Sequence, residues 1–408
     1  MPNATTRASS KPSANTLPLA GIRVLDLSRV LAGPFCGHTL ANLGAEVIKV
    51  EDAKGDETRF WAPFTQDMSD SFMALNFNKR GIVVNLKTDE GVVIIRELAR
   101  GADVLVENFK TGDMEKFGLG YEHLRPLNPR LVYTSIAAFG RQGPLAQRPG
   151  YETLLQAYSG IMSFTGLPDG EPVRTGVSFL DLTSGLTAAL ATVTALYRRK
   201  ETGSGGKVEG SLLQSALGLM LVQLVPFFNN GLLPRKLGSG HASATPYQAF
   251  RTGDGWVLIA AANQNLWERM ARALKLEALL AEPKFKDNPS RMANLPEFLG
   301  LLNEALAKWK TAAVVHTLVE AGVPCSRINT LAELMADGQV EALQPFIGTD
   351  DPQYGPLRTS NVPFHLSDFG SRPIRRPPRL GEHTREVLAE LGYKPARIDA
   401  LYAAGVVG

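Results

Sequence analysis

The sequence predicts an α/β protein: a large Rossmann-like domain built on a parallel sheet, plus a smaller α+β domain. Three observations predict this. Short apolar runs alternate with helical patterns through the first third of the chain, as expected of strands covered by helices on both faces. The chain has 408 residues, 44% of them hydrophobic, enough to fill two cores. An Asp254-Gly255 turn signal, followed by helical stretches to about Glu320, sets a second region apart. The expected layout is a disordered tail over residues 1–18 and a large domain over 19–210 and 330–408. Residues 211–329 form a linker helix and a small domain with a glycine-rich loop.

Taken in order, residues 22–27 (IRVLDL) read as the first strand and 34–43 as a helix with a small-residue face, stopped by Gly44. Residues 46–51 (EVIKVE) and 82–85 are the next strands. Thr88 caps a helix running to Arg100, with Glu90 and Gly91 in its first turn. Residues 103–107 (DVLVE) and 131–135 (LVYTS) are the fourth and fifth strands. A short apolar run, 177–180, then leads into a long helical pattern over 182–197, ending in Arg198-Arg199-Lys200. Residues 203–207 (GSGGK) form a turn before a strand, and 212–229 a further helix. A hairpin joins 249–251 to 256–261. The Pro/Arg-rich segment 372–379 reads as an extended linker. A parallel sheet of this kind binds its ligands beyond the carboxyl ends of its strands.

Composition narrows the function. A net charge of +3, from 43 basic and 40 acidic residues, gives no general field for nucleic acid. The two cysteines, Cys36 and Cys325, make no metal-ligand spacing and suit a reduced, cytoplasmic setting, so no metal is expected. The apolar run 212–228 is broken by Gln214, Gln223 and Pro226 and reads as a buried or interface helix, with no membrane span expected. The first 18 residues are rich in Ser, Thr, Ala and Pro. They have slight transit-peptide character and no secretory apolar region. No Gly-x-Gly-x-x-Gly follows a strand, and 203–207 lacks P-loop spacing, which weighs against NAD-dependent and ATP-dependent chemistry.

Asp181 is the candidate reacting group. It stands between the apolar run and the long helix, where the helix dipole and free N–H groups favour its ionised form. An ionised carboxylate can attack an activated acyl group. On spacing alone the plainer reading is a helix cap.

A set of ordered blocks weighs on that choice. They are residues 18–27 (PLAGIRVLDL), 31–35 (LAGPF), 43–51 (LGAEVIKVE), 78–80 (NKR), 106–109 (VENF), 148–152 (RPGYE), 181–185 (DLTSG), 323–325 (VPC) and 380–384 (LGEHT). From about Leu19 to the C-terminus the chain resembles the family III CoA-transferases, the CaiB/BaiF group. The resemblance implies that group's fold, an interlocked homodimer, and acyl-CoA and a carboxylic acid acceptor as substrates, with no tightly bound cofactor. It implies that Asp181 forms an aspartyl anhydride and then an aspartyl-CoA thioester. It also implies CoA contacts from Val30, Leu31, Ala32, Lys87, Asn108, Phe109, Lys116, Arg148 and Tyr151. Leu31 replaces a family glutamine, and Asp52 replaces a phosphate-binding arginine, leaving Lys54, Arg59 or Arg148 to supply that contact. For each lysine or arginine a solvated surface charge is the plain alternative; for Tyr151 it is a packed aromatic. Gly238, Ser239 and Gly240 match a glycine loop that closes over the intermediate, with His241 beside it, as a lid residue or a structural histidine. Blocks 240–241 and 246–250 resemble the branch that moves CoA between dicarboxylic acids, where Arg174 would pair with a distal carboxylate. Two other readings stand: an acyl-CoA racemase of the same family, disfavoured by Tyr151 where racemases carry His, and a non-catalytic acyl-CoA-binding protein.

Overall fold

The computed structural model describes residues 16–408. The expected disordered tail falls almost wholly on residues 1–15, outside the described residues.

Six strands form one parallel sheet: β1 (Arg23–Asp26), β2 (Glu46–Glu51), β3 (Lys79–Val83), β4 (Val104–Glu107), β5 (Val132–Ala137) and β6 (Gly206–Ser211). Their order is 3-2-1-4-5-6, every neighbouring pair parallel. Register follows the apolar runs: Val24 lies between Val47 and Val104, and Leu25 between Ile48 and Leu105. The third strand starts earlier than the sequence indicates, because Lys79 and Arg80 pair with Val47 and Ile48 despite their charge. Lys79 is tolerated there because its ammonium meets the Asp26 carboxylate at 2.9 Å, both side chains fully buried.

Two layers cover the sheet. On one face lie α1 (Ala32–Asn42) and α4 (Phe179–Thr202), packed along each other; between them in sequence come α2 (Asp89–Gly101) and α3 (Glu152–Tyr158). The approach of α4 to α1 requires Gly185, since a Cβ there would meet the Ala32 carbonyl oxygen at 2.5 Å. On the other face α2, capped by Thr88 as expected, packs Ile94, Ile95 and Leu98 onto Leu25, Leu105 and Tyr133. The C-terminal helices Thr384–Glu390 and Pro395–Ala403 join this core through Val387, Leu388 and Leu401.

The helix expected over 212–229 is two helices, α5 (Leu212–Leu219) and α6 (Leu221–Asn230), bent by 71° at the break. None of the residues of α6 is buried. The helix α4 is long and apolar enough to cross a membrane by composition; in the fold its Leu180, Ala188, Ala189 and Leu196 are buried.

By contacts the chain divides into two compact units. The first holds the sheet and runs through Ser159, then Thr175–Val225 and Pro345–Gly408. The second, Gly160–Arg174 with Pro226–Gln344, has a three-stranded antiparallel sheet with Trp256–Ala260 between Tyr247–Arg251 and Cys325–Arg327. Its core gathers Phe250, Ile259, Trp267, Phe285 and Phe298.

Candidate active site

The strand order reverses between β1 and β4, and the loops leaving their carboxyl ends diverge there, which opens a crevice in such sheets. A cleft of about 200 Å³ lies at this point, wholly within the first unit. The turn after β1 contributes Val30, Leu31 and Ala32, and the loop after β4 contributes Asn108 and Phe109. Arg148, Tyr151 and Asp181, also indicated by the sequence, line it too.

Asp181 is the third residue of α4, with Ser178 at the cap position, so it is not the helix cap. It is only 9% exposed. The helix start does not hold it ionised in the way the sequence suggests. Burial, reinforced by the negative charge of Glu152, pushes its carboxyl up to about 7. Glu152 is itself buried at the first position of α3. Its Oε1 accepts from the Gln156 side-chain amide at 2.6 Å and from the Leu180 N–H at 3.4 Å. Its Oε2 is buried with no hydrogen-bond partner among the described residues. Gln156 also accepts from the Thr175 N–H at 3.0 Å, tying the segment before α4 to α3. The fold thus presents two neighbouring carboxylates, both at helix starts and both lining the cleft, in surroundings that disfavour two negative charges.

Cations line the mouth. Arg148 stacks over Phe139 at 5.3 Å and Tyr158 at 5.9 Å, and Arg29 over Phe109 at 5.3 Å. Arg141, also on the cleft wall, is committed within the protein: it bridges Glu107 at 2.8 Å and donates to the Phe109 carbonyl at 2.7 Å. Tyr151 is 64% exposed and caps α3 by position, so it is not a packed core aromatic.

Several expected residues fall elsewhere. Lys116 is exposed and pairs with Asp113 at 2.9 Å, and neither it nor Lys87 lines the cleft. Arg59 is not available for phosphate: it is bidentate to Glu51 and stacks on Phe72 at 3.7 Å. Asp52, where the family pattern has an arginine, accepts the Lys54 and Gly55 N–H groups and closes a tight turn. Arg174 and the loop Gly238, Ser239, Gly240 and His241 belong to the second unit. There Gly238 takes φ +59° and donates to the Gly166 carbonyl, while Ser239 accepts from the Ala249 N–H. His241 stacks on Tyr247 with centroids 5.0 Å apart. Among the described residues no group of three His, Cys, Asp or Glu is placed to hold a metal ion.

Sequence reasoning assigned no role to Glu152, Gln156 or Arg29. Glu152 lies beside Tyr151 in a quoted block, and Arg29 inside the first turn, so position was the available signal. Their contacts are tertiary and leave no spacing pattern.

An α/β sheet of this order, with a buried carboxylate facing its switch point, defines a class that the comparisons identify. The chain belongs to the family described as CoA-transferase family III, whose model matches residues 19–384. It is an enzyme of the CoA-transferase type. Among its relatives is the succinyl-CoA:glutarate CoA-transferase of Mus musculus, 37% identical over 96% of this chain and 90% of that protein. The succinate–glutarate CoA-transferase of Agrobacterium fabrum is 38% identical over 92% of this chain and 96% of its own. A solved CaiB/BaiF family protein from Brucella suis superposes with a TM-score of 0.84 at 38% identity, covering 92% of this chain and all of that one.

Proposed function

We propose that this enzyme moves CoA from an acyl-CoA to a free carboxylic acid, with Asp181 as the covalent relay. The Asp181 carboxylate oxygen attacks the thioester carbon, the C–S bond breaks, and CoA leaves as thiolate beside a mixed aspartyl anhydride. The thiolate attacks the aspartyl carbonyl, releasing the donor acid and leaving an aspartyl-CoA thioester. The acceptor carboxylate then attacks that carbonyl and expels the thiolate, which takes the new acyl group and frees Asp181. One thioester replaces another, so the exchange needs no nucleotide. An anhydride must be kept from water, so the reacting centre has to be shielded during turnover.

The observation that carries this reading is Asp181 itself: a buried carboxylate at a helix start, lining the switch-point cleft, with a pKa of about 7 that keeps a working fraction ionised near neutrality. The cleft, about 200 Å³, suits the acyl end of the substrate, and the nucleotide would extend along the rim past Arg29, Lys110 and Arg148.

The donor we infer is succinyl-CoA and the acceptor a dicarboxylic acid. The names of the mouse and Agrobacterium relatives support this choice. Transfer assays with formate, succinate, glutarate and carnitine test it. Glutarate or succinate should be preferred, and activity confined to formate or carnitine would overturn it. We also propose a cytoplasmic, interlocked homodimer. The exposed Leu221, Val222, Val225, Phe227, Phe228, Leu232 and Leu233 supply the apolar surface that a second copy would cover.

A further inference from the structure

The turn after β1 is held more tightly than a surface loop requires. Ser28 donates its N–H to Asp26 at 3.0 Å, and its carbonyl accepts from the buried Lys49 at 3.1 Å. The Val30 N–H reaches both oxygens of buried Asp56 at 3.3 Å. Between them, Arg29 is gripped by one side chain from a different loop. The Asn108 amide oxygen accepts the Arg29 N–H at 2.8 Å, and the amide nitrogen donates to the Arg29 carbonyl at 2.7 Å. Asn108 therefore closes a two-bond bridge across the switch point, joining the loop after β4 to the turn after β1.

What the bridge holds is strained. Val30 takes φ +68°, in the left-handed region, where a β-branched residue is a genuine outlier. The same turn places Val30, Leu31 and Ala32 on the wall of the cleft and carries Arg29 over Phe109. Both hydrogen-bonding ends of the Asn108 amide are engaged by the backbone of Arg29.

We propose that Asn108 is a positioning residue: it contributes to acyl-CoA binding by clamping the strained turn 29–32 in its binding shape, not by a hydrogen bond from its side chain to CoA. This rests on the cleft being the acyl-CoA site, as proposed above.

The test uses the full-length enzyme, CoA itself as the calorimetric probe, and steady-state turnover. Asn108→Ala should raise the CoA Kd and the acyl-CoA KM on the order of tenfold while kcat stays within about twofold, the split expected for lost uniform binding. Adding Val30→Gly to Asn108→Ala should recover most of that affinity, because glycine adopts the left-handed conformation without strain. Asn108→Gln, which keeps an amide but sets it one methylene further out, should weaken binding as much as alanine does and serves if the alanine variant fails to fold. Unchanged CoA affinity in Asn108→Ala or Asn108→Gln overturns the proposal. So does a loss that Val30→Gly leaves untouched, since that is the behaviour of a direct ligand contact. A wild-type enzyme that binds no CoA would instead strike at the functional reading.

Discussion

A carboxylate buried to 9% exposure beside a second buried carboxylate does not titrate like a surface aspartate. With Asp181 pushed up to about 7, kcat/KM for the acyl-CoA should rise as pH increases from 5 to 8, with its midpoint near 7. Burial raises Asp181 most and Glu152 second, so Glu152→Gln should move that midpoint downward; a pH–rate profile of the variant reads it directly. The same shift has a consequence for stability. Unfolded, Asp181 titrates at about 4; folded, it holds its proton to about 7. The stability this adds is complete below pH 4 and is lost as pH rises through 7. Asp181→Asn, neutral throughout, should therefore be more stable than wild type at pH 8, by at most about 4 kcal/mol, and nearly equal to it at pH 4. Urea denaturation at both values checks this. The sequence marks Asp181 by its place between an apolar run and a long helix. Its altered acidity is invisible there, because desolvation comes from residues distant along the chain. Arg59 shows the converse: its charge is plain in the sequence, and its commitment to Glu51 and Phe72 is not.

Among the elements, the contact of α4 with α1 decides where Asp181 stands relative to the turn after β1. Gly185 permits it, with the Ala32 carbonyl oxygen only 2.5 Å from where a Cβ would sit. Gly185→Val should force the helices apart, cost roughly 1–3 kcal/mol of stability, and lower turnover beyond what the stability loss explains. Chemical denaturation together with activity of the folded fraction separates the two effects. Strands and helix caps in this region were legible because alternating apolar runs and residues such as Thr88 act locally. The break between α5 and α6 was not: the interruptions at Gln214, Gln223 and Pro226 do not coincide with it, and Pro226 lies six residues beyond the bend at Met220. The early start of β3 was hidden for a related reason, since a lysine in a central strand is acceptable only once Asp26 is known to face it.

At the scale of the whole molecule, the described residues hold two fully buried ion pairs, Lys79 with Asp26 and Lys49 with Asp56. Removing one partner strands the other, so Asp26→Asn should cost about 3–5 kcal/mol, whereas a double apolar replacement of Asp26 and Lys79 should cost less. Thermal unfolding of both variants against wild type measures this. The large sheet and the family were readable from ordered blocks spread along the chain; the assembly was not, because an interface leaves no periodic trace. An interlocked homodimer predicts twice the chain mass by light scattering and dissociation only on unfolding, and a monomer at micromolar concentration would contradict it. The covalent relay through Asp181 is tested most directly by intact-protein and peptide mass spectrometry after incubation with succinyl-CoA and a hydroxylamine quench. A hydroxamate on the peptide containing Asp181, absent from Asp181→Ala, is the predicted result. An adduct on another residue, or wild-type turnover by Asp181→Ala, would contradict it.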